Sequence, residues 1–137
     1  MNRNINLNVE KPNNSSSHYR INLIVAKLCK FMEEKEAISH VDSEKVLNRL
    51  DKTDLSNIHQ FIQYREGTIP LIPDDANSLQ MEIISEVAEI LLEQEFGIPS
   101  NDMFDDDGQF YEQYQDRFND LYDDLEEELI NLDFKTL

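Results

Sequence analysis

Apolar residues recur at spacings of three and four through five segments of the chain, the repeat expected of amphipathic helices. The first predicted helix runs from about Ser17 to Glu36, with Ile21, Ile24, Val25, Leu28, Phe31 and Met32 on one face. A short second helix is predicted near Ser43 to Leu50, with Val46, Leu47 and Leu50 inward. Thr53 or Asp54 would cap a third, with Leu55, Ile58, Phe61 and Ile62 on one side and Gly67 at its end. Thr68 to Pro73 (TIPLIP) holds two prolines, so an extended, packed connector is expected.

A fourth helix is predicted from Asn77 to Phe96. Asn77 and Gln80 have capping-box spacing, Ile84, Val87, Ala88 and Leu91 form the stripe, and Gly97 then Pro99 stop it. The fifth is predicted over Gly108 to Leu132, where Tyr111, Tyr114, Phe118, Leu121, Leu125, Leu129 and Leu132 step by three or four. Residues 1–16 are rich in Asn and Ser without apolar periodicity, and read as a flexible or loosely attached arm. The fold expected is all-α: one compact bundle of about five helices over residues 17–137.

Composition fits this picture and adds one asymmetry. The 137 residues suit one domain, and only 3 glycines and 4 prolines argue against a turn-rich β protein. The single Cys29 cannot form an internal disulfide. The N-terminus stays polar through Ser17, without the apolar core of a signal peptide, and Ile21 to Cys29 is too short to span a bilayer. A cytoplasmic protein with no membrane contact is therefore expected. The net charge of −17 is lopsided: residues 1–73 hold 9 acidic and 10 basic side chains, whereas residues 74–137 hold 20 and 2.

Candidate chemistry thins out on inspection. Asp105, Asp106, Asp107 and Gly108 suggest a calcium loop, but with Gly108 at the sixth position Met103 and Tyr114 fall where the first ligand and the bidentate carboxylate belong. Aspartates before a helix N-terminus, favoured by its dipole, are the simpler reading. His18, His40 and His59 are too far apart to form a local metal pair, although Glu36 and Glu44 flank His40. Cys29 lies beside the apolar face of the first helix, as a buried structural thiol would. Three scattered glycines form no phosphate loop. No cofactor, no metal and no catalytic residue is expected, and the chain does not read as an enzyme.

The acidic stripes are harder to dismiss. Glu82, Glu86, Glu89 and Glu93 align on the fourth helix, and Glu112, Asp116, Asp120, Asp123 and Glu127 on the fifth, both away from the apolar stripes. Seven like-charged neighbours of this kind cost about 1.5–3.5 kcal/mol, which interleaved lysines would avoid. Glu126, Glu127 and Glu128 add unfavourable charge near a helix C-terminus. From Asp105 to Glu128 the 11 carboxylates approach one charge per about 3.4 Å, the density of one nucleic-acid strand.

The partner expected is thus a basic protein, such as a nuclease or another nucleic-acid-binding protein, and not nucleic acid itself. The leading expectation is a small acidic inhibitory binding protein that masks a basic surface. Immunity proteins or antitoxins, and phage-type antagonists of nucleic-acid-binding enzymes, would work in this way. Glu112, Asp116, Asp120, Asp123, Asp124 and Glu127 would supply steering and charge pairing. Tyr122, beside the stripe, is the expected aromatic anchor, whereas Tyr111 and Tyr114 are assigned to the core. The alternative is an acidic cytosolic chaperone or adaptor that holds a secreted protein, marked by an apolar groove or a dimer seam.

Overall fold

The computed structural model describes residues 12–50, 57–71 and 74–136, with side chains from residue 19 onward except at positions 75 and 136. Among these residues there are five α-helices: α1 (Pro12–Glu36), α2 (Ser43–Arg49), α3 (Ile58–Arg65), α4 (Asp74–Phe96) and α5 (Glu112–Asn131). A 3-10 turn, Ser100–Met103, joins α4 to the segment before α5, and a second, Phe134–Thr136, follows α5. The chain forms a compact helical bundle, as its periodicity predicts. No helix among the described residues is long and apolar enough to cross a membrane.

Proline occupies the first position of α1, where its missing N–H leaves no bond unmade. The helix thus starts five residues ahead of the expected Ser17, so residues 12–16 belong to it rather than to the arm. Residues 1–11 of that arm, and Leu55 with the proposed caps Thr53 and Asp54, lie outside the described residues, as does the side chain of His18. Helix α1 ends at Ala37, whose φ of 56° lets the Ile38 N–H donate back to the Glu33 carbonyl (2.9 Å). Ile21, Ile24, Val25, Leu28, Cys29 and Met32 are buried along one side, with Phe31 at the edge of the core. Asp42 caps α2 by accepting a hydrogen bond from the Lys45 N–H (3.1 Å), and Val46 and Leu50 point inward.

Helix α4 is the hub. It packs on all four other helices, so its apolar surface is broader than one stripe: Leu79, Ile83, Ile84, Val87, Ala88, Ile90, Leu91 and Leu92 are all buried. It begins three residues before Asn77, which therefore does not cap it; the Asn77 amide instead approaches Met81 Sδ (4.0 Å). Of the TIPLIP connector, Leu71 is exposed rather than packed, and residues 72–73 fall outside the described set.

Helix α5 starts at Glu112, four residues after the expected Gly108. Residues 104–110 form a tight turn instead, closed by pairing of Phe104 with Phe110 and by the Asp105 N–H on the Gln109 carbonyl (2.7 Å). Gly108 supplies the positive φ (79°) that this turn requires. Leu121, Leu125 and Leu129 anchor α5 to the core. At the other end, the Arg65 guanidinium donates to the carbonyls of Leu129 (2.7 Å), Ile130 (2.9 Å) and Leu132 (3.3 Å) while lying over the Phe134 ring. A cation at this C-terminus offsets the dipole penalty of Glu126, Glu127 and Glu128.

Candidate functional site

Side by side in the sequence, the two acidic stripes look alike; in the fold they are different objects. On α4, Glu93 is 9% exposed and sits at the centre of a charged network. Its carboxylate accepts from Lys45 Nζ (3.0 Å), from the Arg49 guanidinium (2.9 and 3.0 Å) and from the Ser100 N–H (2.8 Å). Burial alone would raise its pKa, but the bonds from Arg49, Ser100 and Lys45 outweigh burial and hold it at about 2. Helix α2, helix α4 and the first 3-10 turn are thereby tied to one carboxylate.

Glu86 and Glu89 are half-buried beside it, in a cleft of about 360 Å³ lined also by Arg49, Pro99, Ser100 and Asn101. Burial first, then the neighbouring Glu89 and Glu93 charges, pushes Glu86 up to about 7 despite the opposing Arg49. Glu89 is raised for the same chief reason. The α4 stripe is therefore not the solvated face expected from its periodicity. The bases responsible, Lys45 and Arg49, stand one turn apart on α2 and converge on Glu93 from a distant segment.

On α5 the stripe is solvated throughout. Glu112, Asp116, Asp120, Asp123 and Glu127 are all exposed, opposite the Leu121–Leu125–Leu129 seam. None of them takes part in an ion pair among the described residues. The row extends about 22 Å, at about 1.5 Å per residue. It is shorter than the expected Asp105–Glu128 track, because the three aspartates lie in the turn before the helix. There Asp105 Oδ1 accepts from the Asp107 N–H (2.9 Å) and the Gln109 N–H (3.0 Å), so it shapes the turn.

Asp124 departs from the row. It is half-buried on the flank facing α1, with Lys35 Nζ at 3.9 Å. Arg117, the one base of α5, is directed to that same flank, where it donates to Glu95 of α4 (2.8 Å) and Glu36 of α1 (2.6 Å). The neutralising residue of α5 thus joins three helices and leaves the outward row bare.

Of the aromatic assignments, Tyr114 packs against the core as expected, whereas Tyr122 and Tyr111 depart from theirs. Tyr122 is half-buried, its ring 5.9 Å from Phe118, and burial followed by the Glu126 and Asp123 charges raises its hydroxyl pKa. Tyr111, assigned to the core from its spacing, is 49% exposed. It precedes the helix in extended conformation, so helical periodicity does not govern where it points. Its ring lies 6.4 Å from Tyr114, which lies 5.0 Å from Phe96, itself 40% exposed at the end of α4. Sequence periodicity gave no signal for this cluster, which the meeting of two helix ends creates.

Of the remaining candidates, His40 is solvent-exposed with Nδ1 at 3.7 Å from Glu33, and His59 is exposed. Cys29 is buried, and burial together with Glu33 and Asp42 raises its thiol to about 12, far from a reactive thiolate. Among the described residues no three His, Cys, Asp or Glu side chains are grouped to hold a metal ion. Comparison of the chain with family models, with curated proteins and with solved structures gives no match.

Proposed function

We propose that this protein is a small inhibitory binding protein whose α5 face occupies a basic, nucleic-acid-binding surface of a partner protein. One observation carries the reading: five exposed carboxylates in a row, Glu112, Asp116, Asp120, Asp123 and Glu127, none in an ion pair among the described residues. Elsewhere the fold does pair its acids, with Glu93 on Lys45 and Arg49, and Glu36 and Glu95 on Arg117. The bare row costs about 0.2–0.5 kcal/mol per neighbouring pair. Eight carboxylates from Glu112 to Glu128 lie along about 24 Å of helix, close to the charge spacing of a single nucleic-acid strand. A surface shaped to hold phosphates meets a comparable field here, and duplex nucleic acid would compete for the same partner.

The test compares capture of proteins from host extract by the parent chain and by a variant with Asp116→Asn, Asp120→Asn, Asp123→Asn and Glu127→Gln. A basic protein enriched by the parent, lost by the variant and displaced by duplex DNA or RNA supports the reading. Equal capture by both chains, insensitive to nucleic acid, refutes it and favours an adaptor that holds its client through apolar contacts. Ile130 on α5, 60% exposed beside a groove lined by Tyr64, Arg65, Asn77 and Gln80, is where such contacts would form.

A further inference from the structure

The aromatic cluster at the N-terminal end of α5 exposes Tyr111 and Phe96 beside a half-buried Tyr114, and no cation covers it among the described residues. Tyr111, Tyr114 and Phe96 are linked edge to face, with ring planes at 61° and 88° to one another. Exposed carboxylates stand close to Tyr111 in sequence: Asp106 and Asp107 in the preceding turn, and Glu112 next to it at the start of the acidic row. Residues 74–137 contain only two bases, Arg117 and Lys135. Arg117 is committed to Glu36 and Glu95. The only cation–π contact among the described residues is at the opposite end of α5, where Arg65 covers Phe134. Among the described residues no cation covers Tyr111.

We infer that this ledge receives an arginine side chain of the basic partner, its guanidinium stacked on the exposed Tyr111 ring and paired with the neighbouring Glu112. The inference rests on the basic-partner reading and specifies which base anchors it. Charge complementarity selects the occupant, since a second copy of a chain carrying −17 would be repelled. The chemistry selects arginine over lysine. A guanidinium is planar and weakly hydrated, so it lies flat on an aromatic ring while its edge donates two hydrogen bonds to a carboxylate; an ammonium does neither as well.

The experiment titrates the intact protein with octa-arginine and octa-lysine peptides of equal charge, by calorimetry in low salt. The parent should bind the arginine peptide about two- to fivefold more tightly, the size of an exposed cation–π contact. Tyr111→Leu should abolish that preference and leave lysine-peptide affinity unchanged, whereas Tyr111→Phe should keep it. The Asn/Gln variant of Asp116, Asp120, Asp123 and Glu127 should weaken both peptides together. Equal affinity for the two peptides, or a preference that survives Tyr111→Leu, overturns the ledge and leaves the acidic row standing. Unchanged affinity of both peptides for the Asn/Gln variant instead overturns the acidic-row reading on which the ledge depends.

Discussion

Replacing Glu93 with glutamine removes one charge and almost no volume, and it separates the two acidic stripes energetically. The parent carboxylate holds Lys45, Arg49 and the Ser100 N–H within 2.8–3.0 Å. Breaking a fully buried ion pair typically costs 3–5 kcal/mol. Here the two bases are 49% and 30% exposed, so water recovers part of their solvation. Loss of the Glu93 charge also relieves repulsion on Glu86 and Glu89. The expected penalty is therefore about 2–3 kcal/mol. Unfolding entropy of about 2.1 cal/mol/K per residue gives about 0.29 kcal/mol/K for 137 residues, so Tm should fall by about 7–10 °C. Thermal and urea melts followed by circular dichroism read this directly, with Glu127→Gln on the α5 row as the matched control. The control should stay within about 2 °C of the parent, or rise slightly, because it removes only like-charge repulsion. Equal melting of the two variants would show that Glu93 holds nothing together.

The pH response should carry the signature of Glu86. Its folded pKa of about 7 lies above the ordinary 4.5, so the fold retains a proton that the unfolded chain releases. Its contribution is complete below pH 4.5 and is lost as pH rises to 7, so Tm should fall between pH 5 and 7.5 less steeply in Glu86→Gln than in the parent; parallel slopes would contradict this. Glu93 acts in the opposite sense, its contribution present above pH 4.5 and lost as pH falls toward 2. Arg65→Met should lower stability by about 2–4 kcal/mol through loss of the α5 C-terminal cap and the Phe134 contact. Hydrogen exchange should show the loss concentrated in the last turn of α5, and uniform exchange along the helix would argue against a capping role.

The helices were legible because their existence and inward faces depend on local periodicity: Leu121, Leu125 and Leu129 are buried where a 3.6-residue repeat places them. What escaped depends on contacts between distant segments. Nothing local distinguishes Glu93 from Glu127; the difference is that α2 brings Lys45 and Arg49 against one and nothing against the other. Tyr111 was misplaced because the turn from Asp105 to Gly108 delays the start of α5, and an extended residue obeys no helical repeat. Asp124 belongs with the α1–α5 seam for a similar reason, since Lys35 lies across from it. The outward row, Glu112, Asp116, Asp120, Asp123 and Glu127, is where the sequence and the fold agree.

Stopped-flow association of the captured partner with the parent chain and with the Asp116→Asn, Asp120→Asn, Asp123→Asn, Glu127→Gln variant measures what that row is for. Electrostatic recognition should make the parent's association rate fall steeply between 20 and 300 mM salt, roughly as expected when the screening length shrinks from about 20 Å toward 6 Å. The variant should associate at least tenfold more slowly at low salt, with a much flatter salt dependence, while melting no lower than the parent. Identical rates and salt slopes for the two chains would contradict recognition through α5 and reduce the row to a solvated face.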